Sequence, residues 1–152
     1  MTDSIKARME ADLKVAMKAG DVTARETLRF TLAALKNAEI DKRSALTPTE
    51  EMDVLKTQSK RRVDSIEQYR AAGRVDLVDR ETAQLEVLKR YMPTEMSDDE
   101  LTALVRDAVA RVGASSPKEM GKVMPVALKA AGDRASGKRV SDAVRQALAG
   151  GA

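Results

Sequence analysis

Thr47-Pro48-Thr49-Glu50, Ser97-Asp98-Asp99-Glu100 and Ser116-Pro117-Lys118-Glu119 each set a hydroxyl residue three positions ahead of a glutamate. In such a capping box the hydroxyl and the carboxylate accept from backbone N–H groups that a helix start leaves unpaired, and proline in the first helical position sacrifices no bond. Three of these boxes commit the chain to helices. Apolar spacing agrees, because Leu28, Leu32 and Leu35 fall at i, i+4 and i+7, and Met52, Leu55, Ile66 and Tyr69 continue a stripe in the next segment. Aromatic residues make up 2% of the sequence against 43% hydrophobic residues, so Ala, Leu, Val and Met must fill the core, and these favour helix over sheet.

The spacing predicts helices at about 4–19, 22–43, 48–72, 75–91, 98–112, 117–131 and 138–149, with Gly20, Gly73, Gly113 and Gly132 at or near their ends. The stretch Tyr91-Met92-Pro93-Thr94-Glu95-Met96 stops the fourth helix before a new cap at Ser97. The expected architecture is therefore all-α, with a four-helix bundle-like unit over 1–92 followed by a small three-helix tail over 97–152.

The sequence contains no histidine and no cysteine, which removes disulfides, thiolate and imidazole metal ligands, cysteine nucleophiles and triads with an imidazole base. No metal or cofactor is expected. The opening residues MTDSIKARMEADLK lack an apolar leader region and no stretch is apolar enough to span a bilayer, so a cytoplasmic protein with no membrane partner is expected.

Positive charge gathers in one place. Between Lys118 and Arg145 stand seven cations, Lys118, Lys122, Lys129, Arg134, Lys138, Arg139 and Arg145, against Glu119, Asp133 and Asp142. The same stretch holds GDRASGKR (132–139), which has the G-x-x-x-x-G-K spacing of a phosphate loop but Arg139 where a hydroxyl must hold Mg²⁺, and no strand to launch it. It reads instead as a turn between helices, with Ser136 capping the last one. Lys138 and Arg139 then occupy a first helical turn, where the helix dipole disfavours cations unless an anion binds nearby. With few aromatics to stack bases, nucleic-acid recognition would rest on phosphates and shape, which suits folded RNA.

Taken together, LEVLKRYMPTEMSDDEL (85–101), GASSPKEMGKVM (113–124) and RASGKRVSDAVRQAL (134–148) resemble the YqeY proteins and the C-terminal tail of GatB, the B subunit of the tRNA-dependent amidotransferases. Upstream, LRFTLAALKNAEID (28–41) and RRVDSIEQYRAAGRVDLVDRE (61–81) look like the YqeY N-terminal region. The resemblance implies an all-helical protein whose tail contacts tRNA. It places Lys118, Met120, Gly121, Lys122 and Val123 on the family's K-x-M-G-K-V run and Gly137, Lys138 and Val140 on its G-K-x-V. Met120 and Val123 are expected in the core and Gly121 at a close helix contact. Pro125 departs from the family pattern and predicts a kink or break in the sixth helix, which bears on where Lys129 points. Amide transfer needs an amidase centre and an ATP-using cradle, and neither is legible in the sequence. The expected function is a non-catalytic tRNA-binding accessory protein, with an amidotransferase or a glutaminyl-tRNA synthetase as possible partner. The alternative is a helical protein-interaction adaptor. For a further rival, an enzyme using lysine, serine or carboxylates, Lys60, Arg61 and Arg62 are the candidate anchors, but no nucleophile–base constellation accompanies them and such a run reads as a solvated face.

Overall fold

The structure is a computed structural model in which residues 4–150 are described. It is all-helical: α1 (Ile5–Ala19), α2 (Val22–Lys42), α3 (Pro48–Ala71), α4 (Val75–Lys89), α5 (Asp98–Val112), α6 (Met120–Ala131) and α7 (Gly137–Gly150). Short 3₁₀ turns at Pro117–Glu119 and Gly132–Arg134 precede α6 and α7. The chain divides into two compact units, one ending at Met92 and the other beginning at Pro93.

Caps set most of the helix boundaries. Ser4 accepts from the Ala7 N–H at 3.0 Å to open α1, and Asp21 accepts from Ala24 at 3.1 Å to open α2. At α3 the capping box is reciprocal: Thr47 Oγ1 accepts from Glu50 N–H at 3.2 Å, and Glu50 accepts from Thr47 N–H at 3.1 Å. The second box contributes its hydroxyl arm, Ser97 accepting from Glu100 N–H at 3.1 Å. The third contributes its carboxylate arm, Glu119 accepting from the Ser115 and Ser116 N–H groups. That third box opens a 3₁₀ turn rather than the α-helix expected from residue 117, and α6 proper starts at Met120. The α2 helix ends at Arg43, whose φ of 65° is a left-handed conformation that usually selects glycine.

In the N-terminal unit Met9, Leu28, Leu35, Leu55, Val87 and Leu88 form the core, with Leu32 and Val54 packed against it. Thr27 and Thr31 are buried on the same face of α2, and their hydroxyls donate to the carbonyls of Thr23 and Thr27 at 2.7 and 2.8 Å. Glu51, also buried, accepts from the backbone N–H of Lys6 at 3.0 Å in the first turn of α1. Tyr91 donates its hydroxyl to Asp12 and lies under the Arg8 guanidinium, 5.2 Å from its ring centroid. Burial, reinforced by the Asp12 carboxylate, holds that phenol protonated well above its ordinary range.

In the C-terminal unit Leu101, Val105 and Ala108 of α5 meet Val123, Ala127 and Ala131 of α6 and Val140, Val144 and Leu148 of α7. Val123 is fully buried and Met120 is half-buried against this core, as their spacing predicted. Gly121 and the expected break at Pro125 turn out otherwise. Gly121 is exposed and a Cβ there would meet nothing within 4 Å, so close packing does not require it. Pro125 does not break α6: the proline is exposed, and the loss of its one backbone bond leaves the buried Val123–Ala127–Ala131 stripe intact on another face.

Candidate nucleic-acid interface

The apolar stripe of α6 fixes where its lysines go. At about 100° per residue, burial of Val123, Ala127 and Ala131 turns Lys122 and Lys129 outward, and their seven-residue spacing puts them on one stripe roughly 10.5 Å apart. Lys118 is exposed in the 3₁₀ turn just before. Glu119, beside it, is held below the ordinary carboxylate range because the Ser115 and Ser116 N–H groups bond its charged form, with Lys122 adding to the effect. Among the described residues, Lys118, Lys122, Lys129 and Lys138 make no ion pair within 4.0 Å.

The arginines behave differently. Arg134 donates Nε to the Thr94 carbonyl at 2.9 Å and Nη2 to Glu100 at 2.8 Å, while its own carbonyl accepts from Met96 N–H at 2.8 Å. Arg139 is half-buried and donates to Asp98 at 2.9 Å, and its backbone N–H bonds the Ser136 hydroxyl at 3.1 Å. Arg145 pairs with Asp142 one turn away at 3.2 Å. Arg134 and Arg139 thus clasp the entry to α5 from the turn before α7 and from its first turn. The two neighbours differ: Lys138 is exposed, whereas Asp98 draws the Arg139 side chain against the surface.

Nor do the seven cations share one face. Lys129 borders a groove between α5 and α6 alongside Asp107 and Arg111, whereas Arg139 borders the groove between α5 and α7 alongside Asp98 and Asp142. On α7, Lys138 and Arg145 share a stripe turned away from Val144. The GDRASGKR segment is the helix–helix turn it reads as, with Gly132 at φ 55° closing α6 and Ser136 capping α7. Among the described residues no group of three or more acidic side chains is placed to hold a metal ion.

A family model described as YqeY-like protein matches residues 6–148. The chain belongs to the YqeY-like family. Several fungal proteins named altered inheritance of mitochondria protein 41, mitochondrial, are similar to it. The one from Pyrenophora tritici-repentis is 35% identical over 122 residues, covering 77% of this chain and 67% of its own length. Those from Lachancea thermotolerans and Saccharomyces cerevisiae are 34% and 27% identical, each over 76% of this YqeY-like chain and over 63% and 66% of their own lengths. The chain therefore spans about two thirds of the curated relatives it matches. Neither the family description nor these names states an activity.

The mitochondrial names overturn the cytoplasmic expectation. That expectation leaned on a missing apolar leader, but organelle transit peptides are amphipathic and Arg-rich, so an apolar leader is the wrong signal to look for. No helix among the described residues is long and apolar enough to cross a membrane.

One further expectation is corrected in the N-terminal unit. Arg62 does not belong to a solvated face: its side chain is 11% exposed and donates Nη1 to Glu81 at 3.1 Å and to Gln84 Oε1. Its partners lie on α4, about 20 residues further along, and no local pattern points to them.

Proposed function

We propose that this YqeY-like chain is a non-catalytic accessory protein that binds tRNA through the lysines of its C-terminal unit. The observation that carries the reading is that Lys118, Lys122 and Lys129 run along one helix and the turn before it, exposed and without an ion pair. Cations without an ion pair offer more of their charge to phosphate than paired ones do. Lys138 supports it, being exposed in the first turn of α7, where an anion would offset its conflict with the helix dipole. The sequence, with no histidine or cysteine and a net charge of +3, suits a binding role better than a catalytic one. Resemblance to the amidotransferase tail makes an amidotransferase or a glutaminyl-tRNA synthetase the partner to seek by co-purification.

The test is fluorescence anisotropy of bulk tRNA against the full chain at roughly 50 and 200 mM salt. Replacing Lys118, Lys122 and Lys129 together by alanine is expected to weaken binding and to reduce the logarithmic salt slope by about 0.7–0.9 for each phosphate no longer neutralised. Binding that ignores all three substitutions, or no binding at the lower salt, refutes the assignment and favours the protein-interaction adaptor.

A further inference from the structure

Between α2, α3 and α4 lies a cleft bordered by Phe30, Gln58, Arg61, Arg62, Arg80 and Gln84. Phe30, the only phenylalanine in the sequence, is 60% exposed. Its ring stands 5.9 Å from the Arg62 guanidinium, which Glu81 and Gln84 hold in place. An arginine fixed against one side of an aromatic ring makes a rigid platform whose remaining surface is open to stacking.

Two polar groups in the wall lack intramolecular partners. Gln58 is 7% exposed as a residue, borders the cleft and makes no hydrogen bond among the described residues. The Arg62 Nε is sealed from solvent and also unpaired. The Gln58 amide is not among the atoms sealed from solvent, so it opens onto the cleft without an intramolecular partner and is available to a ligand. Arg61, exposed at the rim, has no ion pair, while Arg80 is held only loosely by Glu26 at 3.8 Å.

A flat aromatic face, an amide with both donor and acceptor free, and an uncommitted guanidinium narrow the ligand. A bare carboxylate would leave the Gln58 carbonyl and Phe30 unused. An apolar segment would leave Gln58 and Arg61 unpaired. A glutamine amide pairs in bidentate fashion with the N6–H₂ donor and N7 acceptor of adenine, aromatic rings stack bases, and arginine takes phosphate. We propose that this cleft binds one unpaired adenine nucleotide, its base stacked on Phe30, its edge read by Gln58 and its phosphate met by Arg61. The nucleotide comes either free or as part of an RNA strand, and the proposal does not depend on the lysines of the C-terminal unit.

The experiment is NMR titration of the full chain with AMP, UMP and hexaadenylate, reading the Phe30 ring signals, unambiguous because there is no other phenylalanine, and the Gln58 side-chain amide. AMP is expected to shift both sets, with UMP weaker by roughly tenfold. Phe30→Ala, at an exposed position that leaves the fold intact, is expected to weaken AMP binding by roughly tenfold or more. Gln58→Met is expected to erase the preference for AMP over UMP while stacking persists. Hexaadenylate binding tighter per nucleotide than AMP identifies a strand as the source, and equal affinity per nucleotide identifies the free nucleotide. Phe30 signals unmoved by both adenylates, equal response to UMP, or indifference to Phe30→Ala overturns the proposal. The triple lysine variant is expected to keep the AMP response, so failure of tRNA binding and failure of the cleft are read separately.

Discussion

Replacing Arg134 by alanine separates holding the C-terminal unit together from contacting RNA. The substitution removes a charged donor from the Thr94 carbonyl and an ion pair with Glu100, whose partners are 41% and 52% exposed. At this exposure the hydrogen bond contributes about 1 kcal/mol, the ordinary net value for one, and the ion pair about 0.2–1 kcal/mol once screening is allowed for. The loss of stability is therefore about 1–2 kcal/mol, which in a unit of this size lowers its melting temperature by roughly 5–15 °C. The assay is native-state amide exchange of the full chain, read at Met96 N–H, whose acceptor is the Arg134 carbonyl and survives the substitution. Exchange at Met96 is expected to accelerate by roughly tenfold, while tRNA affinity measured well below the transition is unchanged. An Arg134→Ala protein whose exchange is unaltered, and whose tRNA affinity falls as it does for Lys122→Ala, refutes the clasp.

Other perturbations test the fold directly. Leu88, fully buried in the N-terminal core, is expected to cost about 2–5 kcal/mol on replacement by alanine, measured by urea denaturation. Arg43→Gly is expected to stabilise by about 0.5 kcal/mol, since it relieves a φ of 65° at some cost in unfolded-chain entropy; a loss of stability would show that the arginine side chain is needed there. Glu50 is held below the ordinary glutamate range by Lys42 and then by the Thr47 backbone, and Glu119 by the Ser115 and Ser116 backbone. Because the folded values lie below the unfolded ones, their contribution is complete above the ordinary range and is lost as pH falls through the folded values. The urea midpoint difference between wild type and Glu50→Gln is therefore expected to be constant from pH 7 to about pH 5.5 and to shrink below about pH 4. A difference that grows on acidification contradicts this sign.

Helix positions were readable because their causes are local. A hydroxyl three residues from a carboxylate, a proline at a first turn and apolar residues on one stripe act within a few residues, and Thr47, Ser97, Val123 and Ala127 stand where those rules put them. The break expected at Pro125 does not occur because the local rule counts the missing bond but not the buried face that keeps α6 continuous. The candidate site was legible only in outline. Lys122 and Lys129 follow from periodicity alone, but Arg134 and Arg139 find partners 34 and 41 residues away, and a charge count cannot distinguish a paired guanidinium from a free one. The scarcity of aromatics argued against base stacking, yet what matters is position, and Phe30 lies at the mouth of a cleft whose other walls come from two later helices.

From Lys118 to Arg145 the cations divide by type. The three arginines of that stretch are committed to oxygen atoms of their own chain, while its four positions that stand free of ion pairs are all lysines. Guanidinium and ammonium groups differ in more than geometry, for a primary amine can be acylated under conditions that leave arginine untouched. The charge that these four lysines offer to solvent is thus chemically erasable, residue by residue, without disturbing the contacts that hold Asp98, Glu100 and Thr94 in place. The surface potential of the C-terminal unit and its stability can be changed independently of one another.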